Sequence, residues 1–110
     1  MLFRSHVKSP TYTLAEPYQV TLQNKPASIM HFDLYRMGSP EEFLDAGFRE
    51  EFHAGQVCIV EWPEKADGVL PEPDIELFLR IAAHGREVEL RALSDKGFAC
   101  LASLQFAPVL

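Results

Sequence analysis

Apolar residues recur at every second position in the first part of the chain, and this alternation predicts β-strands. Between residues 15 and 22, aromatic and aliphatic side chains alternate with polar ones, which is the period of a half-buried strand. A turn signal follows at residues 24–26, and the mostly apolar segment 29–35 predicts a second strand. Because the connection is short, we expect the two strands to pair antiparallel.

A capping sequence then marks the change from strand to helix. Ser39 is followed by Pro40 and Glu42, which matches a capping box with proline at the first helical position. Gly47 can supply the left-handed residue that ends this helix. A second, shorter helix is expected over residues 48–53.

The second half of the chain predicts more strands and a closing helix. Within the predicted strand 56–63, the successive positions 57–60 are all apolar, so this strand is expected to be buried on both faces, central in its sheet and parallel to a neighbour. Two β-type runs, 74–82 and 86–93, surround a Gly-containing turn and predict a hairpin. A closing helix is expected over residues 98–104. A single α/β domain with a mixed sheet, antiparallel hairpins and one or two flanking helices follows from this pattern and from the length of 110 residues.

The charge of the chain argues against direct binding of nucleic acid. The formal net charge is -6, whereas proteins that neutralise phosphates need a surplus of Lys and Arg. If RNA is involved, we expect a partner to carry it. The acidic excess is concentrated in one segment, which is either a solvated helix face or a docking surface for a basic patch on a partner or RNA. That segment contains Glu41, Glu42, Asp45, Glu50 and Glu51.

Cysteine usage indicates a reducing compartment. Cys58 and Cys100 are far apart in the chain and match no zinc-binding spacing. Both thiols are expected to be buried, as in a cytoplasmic protein. No apolar stretch reaches the roughly 18 residues of a membrane helix, so we predict a cytoplasmic protein.

Two carboxylates stand out by their positions. Asp33 and Glu61 each end a hydrophobic strand, and ligands of α/β sheets bind beyond the carboxyl ends of the strands. An acid at this place can hold Mg²⁺ or orient an attacking water, as in a Walker B strand. The alternative is that each is a solvated strand end.

Other residues are weaker candidates. Hydroxyl groups in the segment 9–13 can coordinate Mg²⁺ or donate to phosphate, or they bond their own backbone in a turn. Trp62 is expected either to cover the site or stack on a partner, or to pack in the core. Arg86, at the predicted hairpin tip, could reach a phosphate or be an ordinary exposed arginine. His31 with Asp33 suggests a transition-metal pair, for which the other histidines give no supporting spacing.

One motif is missing from the sequence. No G-x-x-x-x-G-K-[ST] phosphate-binding loop occurs anywhere in the 110 residues, and the six glycines are scattered.

Five segments taken together resemble the TsaE family in order and spacing. They are residues 7–14, 16–18, 31–36, 40–42 and 59–63. The combination of H-F-D-L-Y-R with E-W-P is the most specific part. TsaE is the ATPase subunit of the bacterial system that makes threonylcarbamoyladenosine at position 37 of tRNA.

The resemblance implies a P-loop NTPase fold, the cofactors ATP and Mg²⁺, and two partners. The partners are the threonylcarbamoyl-transfer enzyme TsaD and its inactive homologue TsaB, with tRNA contacted only indirectly. Asp33 would be the Walker B-like acid and Glu61 a second acid at the Mg²⁺ site. Residues implied to contact the nucleotide are Ser9, Thr11, Tyr12, Trp62 and Arg86.

The chain departs from the family pattern at its start. The family's first strand, phosphate loop and following helix belong before Val7, where only residues 1–6 stand. We therefore expect a truncated, partial P-loop domain that does not hydrolyse ATP alone and that leaves a sheet edge or apolar face uncovered. Two alternatives are a non-catalytic module that docks on the transfer complex and, ranked last, a metal-dependent hydrolase using His31, Asp33 and Glu61.

Overall fold

The computed structural model describes residues 14–104, and these form two compact units that divide between Pro71 and Glu72. The expectation of one domain over residues 1–110 stays a prediction.

The first two strands form the expected antiparallel hairpin. β1 spans Ala15–Leu22 and β2 spans Lys25–Asp33, with Leu22 paired to Lys25. The turn consists of Gln23 and Asn24, whose φ angles are 51° and 64°. Two left-handed residues match the twist of the strands that they join. The turn therefore begins one residue earlier than predicted, and Lys25 already belongs to β2.

The third strand confirms one prediction and corrects another. β3 spans Val57–Glu61 and pairs parallel to β2, as the sequence predicts. The sheet order is β1-β2-β3, so in the described part of the chain β3 lies at the edge and β2 in the middle. Burial on both faces is also wrong, because Val57 and Ile59 are 49% and 46% exposed. Only alternate side chains of the strand face the hydrophobic cluster.

A cluster of aromatic side chains covers one face of this sheet. Phe32 of β2 is fully buried, and its ring lies 5.2 Å from the ring centroids of both Phe48 and Phe52 and 6.0 Å from that of Phe43. Phe43 is the buried residue of the short helix α1, Pro40–Asp45. A 3₁₀ helix follows over Phe48–Glu51. The cluster holds α1 and the 3₁₀ helix on the side of the sheet opposite His31 and Asp33, because side chains alternate along β2.

Helix α1 begins where the sequence predicts but without its capping box. Ser39 has the extended backbone of an N-cap, yet its side chain makes no capping hydrogen bond. The backbone N–H of Glu42 donates instead to the carbonyl of Ser39 at 3.1 Å. Gly47 ends the helical segment in the left-handed region with φ 74°, as expected.

The second unit is the predicted hairpin with a short helix. β4 spans Ile75–Ala82 and β5 spans Gly85–Ala92, antiparallel. Helix α2 spans Asp95–Ala102, and so begins three residues before the predicted start. Its N-cap Ser94 accepts a hydrogen bond from the Gly97 amide at 3.0 Å, which is the contact that sets the start of a helix.

These elements confirm the α/β class, with a mixed sheet, antiparallel hairpins and two helices in the described residues. Neither of those helices is long and apolar enough to cross a bilayer.

Candidate functional site

The parallel pairing of β2 and β3 brings the two predicted acids side by side. Asp33 and Glu61 are register partners and the last residues of their strands. Register partners in adjacent parallel strands point to the same face of a sheet. The structure therefore places both carboxylates on one face at the carboxyl ends of the strands.

Backbone hydrogen bonds fix this end of the sheet from both sides. The amide of Asp33 donates to the carbonyl of Leu14 at 3.0 Å, and the amide of Leu34 donates to the carbonyl of Glu61 at 3.1 Å. The side chain of Leu34 is fully buried. The Cα positions of the two acids are thus set by the sheet rather than by a loop.

The Asp33 carboxylate is oriented by the chain that follows it. Its Oδ1 accepts a hydrogen bond from the backbone N–H of Tyr35 at 3.2 Å. This is the contact by which aspartate side chains stabilise a turn two residues on. Asp33 itself is half-buried.

The Glu61 carboxylate is paired with His31, a contact that the sequence analysis missed. His31 Nε2 lies 2.7 Å from Glu61 Oε2, with the two side chains 16% and 45% exposed. His31 lies two residues before Asp33, on the same face of β2. The sequence contains a signal for this contact, because a strand that ends in glutamate and pairs parallel to β2 brings its carboxylate near that face. The signal can be used only when the register of the two strands is known.

Trp62 lies beside the acids and not in the core. Its backbone is in the left-handed region, with φ 60° and ψ 50°, and its side chain is 47% exposed. The indole ring centroid lies 5.0 Å from that of Tyr35, which is 56% exposed. Core packing of Trp62 is therefore wrong, and the two rings form an exposed pair just beyond the strand ends.

The other predicted residues lie outside the described residues or in the second unit. Ser9, Thr11 and Tyr12 lie outside the described residues. Arg86 belongs to the second unit, where it is exposed next to the hairpin turn and its guanidinium donates to the carbonyl of Gly85 at 3.4 Å.

The donor set fits Mg²⁺ better than a transition metal. Within residues 14–104 no group of three or more His, Cys, Asp or Glu side chains is arranged to hold an ion, so His31, Asp33 and Glu61 do not form the three-ligand site considered above. Mg²⁺ is usually bound through one or two carboxylates together with substrate phosphates and water. Two neighbouring carboxylates are therefore a suitable protein contribution.

Cys58 faces the aromatic cluster, away from the acids. Burial raises the pKa of its thiol, the Glu51 carboxylate raises it further, and a hydrogen bond with Gln56 opposes both. The thiol also contacts the carbonyl of Glu51 at 3.4 Å. Cys58 is half-buried and Cys100 is exposed, so the expectation of two buried thiols is wrong.

The acidic segment is solvated over most of its length. Glu41, Glu42, Asp45 and Glu50 are exposed. Glu51 is half-buried, and its carboxylate accepts a hydrogen bond from the Gln56 side chain at 3.2 Å.

In the second unit, hydrogen bonds from arginine side chains lower the pKa of the exposed Glu89.

A family model and several relatives match this chain. The model described as "Threonylcarbamoyl adenosine biosynthesis protein TsaE" matches residues 1–88. A protein of Haemophilus influenzae named "tRNA threonylcarbamoyladenosine biosynthesis protein TsaE" is 42% identical over 94 residues, which cover 86% of this chain and 57% of the relative.

Two further relatives bear the same name. The Treponema pallidum protein is 36% identical over 86 residues, covering 77% of this chain and 60% of its own length. The Bacillus subtilis protein is 31% identical over 91 residues, covering 82% and 54%. The chain thus spans little more than half the length of these relatives.

Proposed function

The chain belongs to the TsaE family. From this membership we propose that it serves tRNA threonylcarbamoyladenosine biosynthesis as an ATPase subunit that supports the modification of position 37. The observation that carries the proposal is the register pairing of Asp33 with Glu61 at the carboxyl ends of two parallel strands.

In this proposal the two acids hold Mg²⁺ and prepare the attacking water. An Mg²⁺ ion held there together with ATP would supply positive charge to neutralise what develops on the phosphate oxygens. Asp33, oriented by the Tyr35 amide, is the Walker B-like acid that binds the ion or its water. Glu61, held by the backbone of β3 and by His31, is the second acid.

Five further residues are proposed to contact ATP. Trp62 follows Glu61 directly in the chain and is exposed, so its indole ring can contact a nucleotide whose metal ion the carboxylates bind. The hydroxyl groups of Ser9, Thr11 and Tyr12 are proposed to face the γ-phosphate, and Arg86 to approach the nucleotide. Their support is the family resemblance.

We propose that this chain alone does not hydrolyse ATP. The 110 residues contain no G-x-x-x-x-G-K-[ST] motif, whose lysine and backbone amides hold the β- and γ-phosphates in P-loop enzymes. The chain is proposed to work in the cytoplasm with TsaD- and TsaB-like proteins, which bring it to tRNA, since its net charge of -6 does not favour direct binding of RNA.

ATP turnover tests this function. The isolated chain is expected to release no phosphate above background, and fusion to an upstream segment with the G-x-x-x-x-G-K-[ST] motif is expected to restore Mg²⁺-dependent release. Asp33→Asn and Glu61→Gln should each lower the restored kcat by about 100-fold, on the scale of a lost electrostatic contact.

The matched control is Asp67→Asn, which neutralises an exposed acid in the same unit and should leave turnover unchanged. Robust hydrolysis by the isolated chain would refute the need for the phosphate loop. Unchanged turnover in the Asp33 and Glu61 variants would refute the role of the acids.

The exposed acids of α1 and its 3₁₀ helix favour a second candidate, a non-catalytic module that docks on the transfer complex. Binding of the chain to the transfer complex is then expected in the absence of nucleotide. Charge reversal of Glu41, Glu42 and Glu50 to Lys should weaken binding in calorimetry at least tenfold. Charge reversal of Glu64, Asp67 and Glu72 changes the net charge by the same amount and should not weaken binding. Equal effects of the two triple variants, or no binding by the parent chain, would exclude specific docking.

A further inference from the structure

His31 is the residue that the structure adds to the candidate site. Its Nε2 lies 2.7 Å from Glu61 Oε2, across two strands and 30 positions of sequence. An ionised carboxylate can only accept hydrogen bonds, so a hydrogen bond from His31 to Glu61 requires a ring hydrogen on Nε2. We propose that His31 is a positioning residue, which donates to Glu61 and holds its carboxylate beside Asp33 for a divalent cation.

The sheet register makes this contact a property of the fold. His31 pairs with Ile59, and Asp33 pairs with Glu61. The imidazole therefore contacts the residue two positions beyond its own register partner, diagonally across the face that both acids share. Because all four residues lie in paired strands, the separation of the His31 and Glu61 backbones is set by the sheet.

The two partners differ in how firmly they are held. The His31 side chain is 16% exposed and the Glu61 side chain 45%. A glutamate this exposed has several accessible rotamers, and ordering it has an entropic cost unless a fixed partner selects one. The more buried imidazole is one such fixed partner, so it decreases the side-chain freedom of Glu61 that a metal ion would otherwise have to remove.

The role is distinct from metal ligation. His31 Nε2 is directed at the carboxylate, and Mg²⁺ prefers oxygen ligands over imidazole. Groups that hydrogen-bond a ligating carboxylate orient it, and their removal costs about 10- to 100-fold in metal affinity. The inference rests on the proposed function in one respect only, which is that the cation binds at Asp33 and Glu61.

Two variants of the full 110-residue chain test the proposal, with Mn²⁺ alone as the probe. Glutamine can place an amide N–H near the position of Nε2, so His31→Gln keeps a donor, whereas His31→Leu removes it and keeps apolar bulk. In EPR titrations, His31→Leu is expected to raise the Kd for Mn²⁺ about tenfold. His31→Gln should remain within about threefold of the parent, and such a rescue would not follow from a purely structural role of the imidazole.

A second readout needs no metal. ¹³C relaxation of the Glu61 Cγ methylene should show an ordered side chain in the parent and in His31→Gln, and an averaged one in His31→Leu. Parent-like Mn²⁺ affinity and Glu61 order in a folded His31→Leu chain would overturn the proposal. If no chain binds Mn²⁺ but Glu61 order follows the donor, the proposed function fails and the positioning contact stands.

The parent chain supplies a test that survives loss of folding in a variant. A long-range ¹H–¹⁵N spectrum should show the His31 ring hydrogen on Nε2, and its signal should shift in Glu61→Gln. A neutral ring with its hydrogen on Nδ1 would overturn the proposal whatever the variants do.

Discussion

At the scale of single residues, position in the sheet gives two ordinary carboxylates their significance. Asp33 is oriented by a backbone amide and Glu61 by an imidazole, so each acid has a partner that selects its direction. They are neighbours only because β2 and β3 run parallel and end together. Had the strands been antiparallel, their carboxyl ends would lie at opposite ends of the strand pair.

Side chains alternate between the two faces of the sheet, and this alternation places Cys58 on the face opposite the acids. Its environment there predicts the reactivity of its thiol. The thiolate is the reactive form, and burial raises the pKa of Cys58, whereas Cys100 is exposed. Alkylation by iodoacetamide at pH 8, followed by mass spectrometry, should be about tenfold slower at Cys58. Cys100→Ser should leave a slowly reacting chain and Cys58→Ser a fast one, and equal rates at the two thiols would contradict this account.

The raised pKa also fixes the sign of a stability effect. Above the ordinary pKa of a thiol, Cys58 ionises in the unfolded chain before it ionises in the folded one. Its contribution to the free energy of unfolding is therefore fully present at neutral pH and decreases as pH rises through the two pKa values. In urea unfolding, the decline of stability above about pH 9 should be smaller in Cys58→Ala than in the parent chain.

At the scale of elements, local signals were predictable and long-range placement was not. The alternation at residues 15–22 and the glycine-containing turn of the second hairpin identified strands correctly, because a period of two depends only on near neighbours. The apolar run of β3 shows a preference for burial but not what covers each side chain. Its edge position and the contact of His31 with Glu61 depend on register, which no single segment contains.

Capping chemistry gives a prediction that contrasts the two helices. Ser94 Oγ accepts from the Gly97 amide and donates to Asp74 Oδ1 at 2.6 Å, whereas the Ser39 side chain makes no capping bond. In urea unfolding followed by circular dichroism, Ser94→Ala should lower the free energy of unfolding by about 1 kcal/mol. Ser39→Ala should change it by less than about 0.5 kcal/mol. A larger loss from Ser39→Ala would show that the sequence-level capping box forms in solution.

At the scale of the whole molecule, the candidate site depends on the first unit. The described buried hydrophobic residues all lie in that unit: Ile29, and the cluster of Phe32, Leu34, Met37, Phe43 and Ala66. Phe32 lies between His31 and Asp33 in β2, so its burial on one face directs those two side chains to the other. Folding of the aromatic cluster is thus a condition for assembling the acids.

Phe43 belongs to the aromatic cluster but lies outside the site strands, so its substitution tests this dependence. Phe43→Ala should lower the free energy of unfolding by about 3–5 kcal/mol, measured by urea denaturation with the fluorescence of Trp62, the single tryptophan of the chain. The neighbouring Leu44 is 40% exposed, and Leu44→Ala should cost less than about 1 kcal/mol. Comparable losses in the two variants would show that the cluster does not dominate the stability of this unit.

Binding of a divalent ion by the isolated chain bears most directly on the account. EPR titration with Mn²⁺ is predicted to give one site per chain, with the Kd raised at least tenfold in both Asp33→Asn and Glu61→Gln and unchanged in Asp67→Asn. Retention of the parent Kd in the Asp33 and Glu61 variants would contradict the claim that the two strand-terminal carboxylates share one ion.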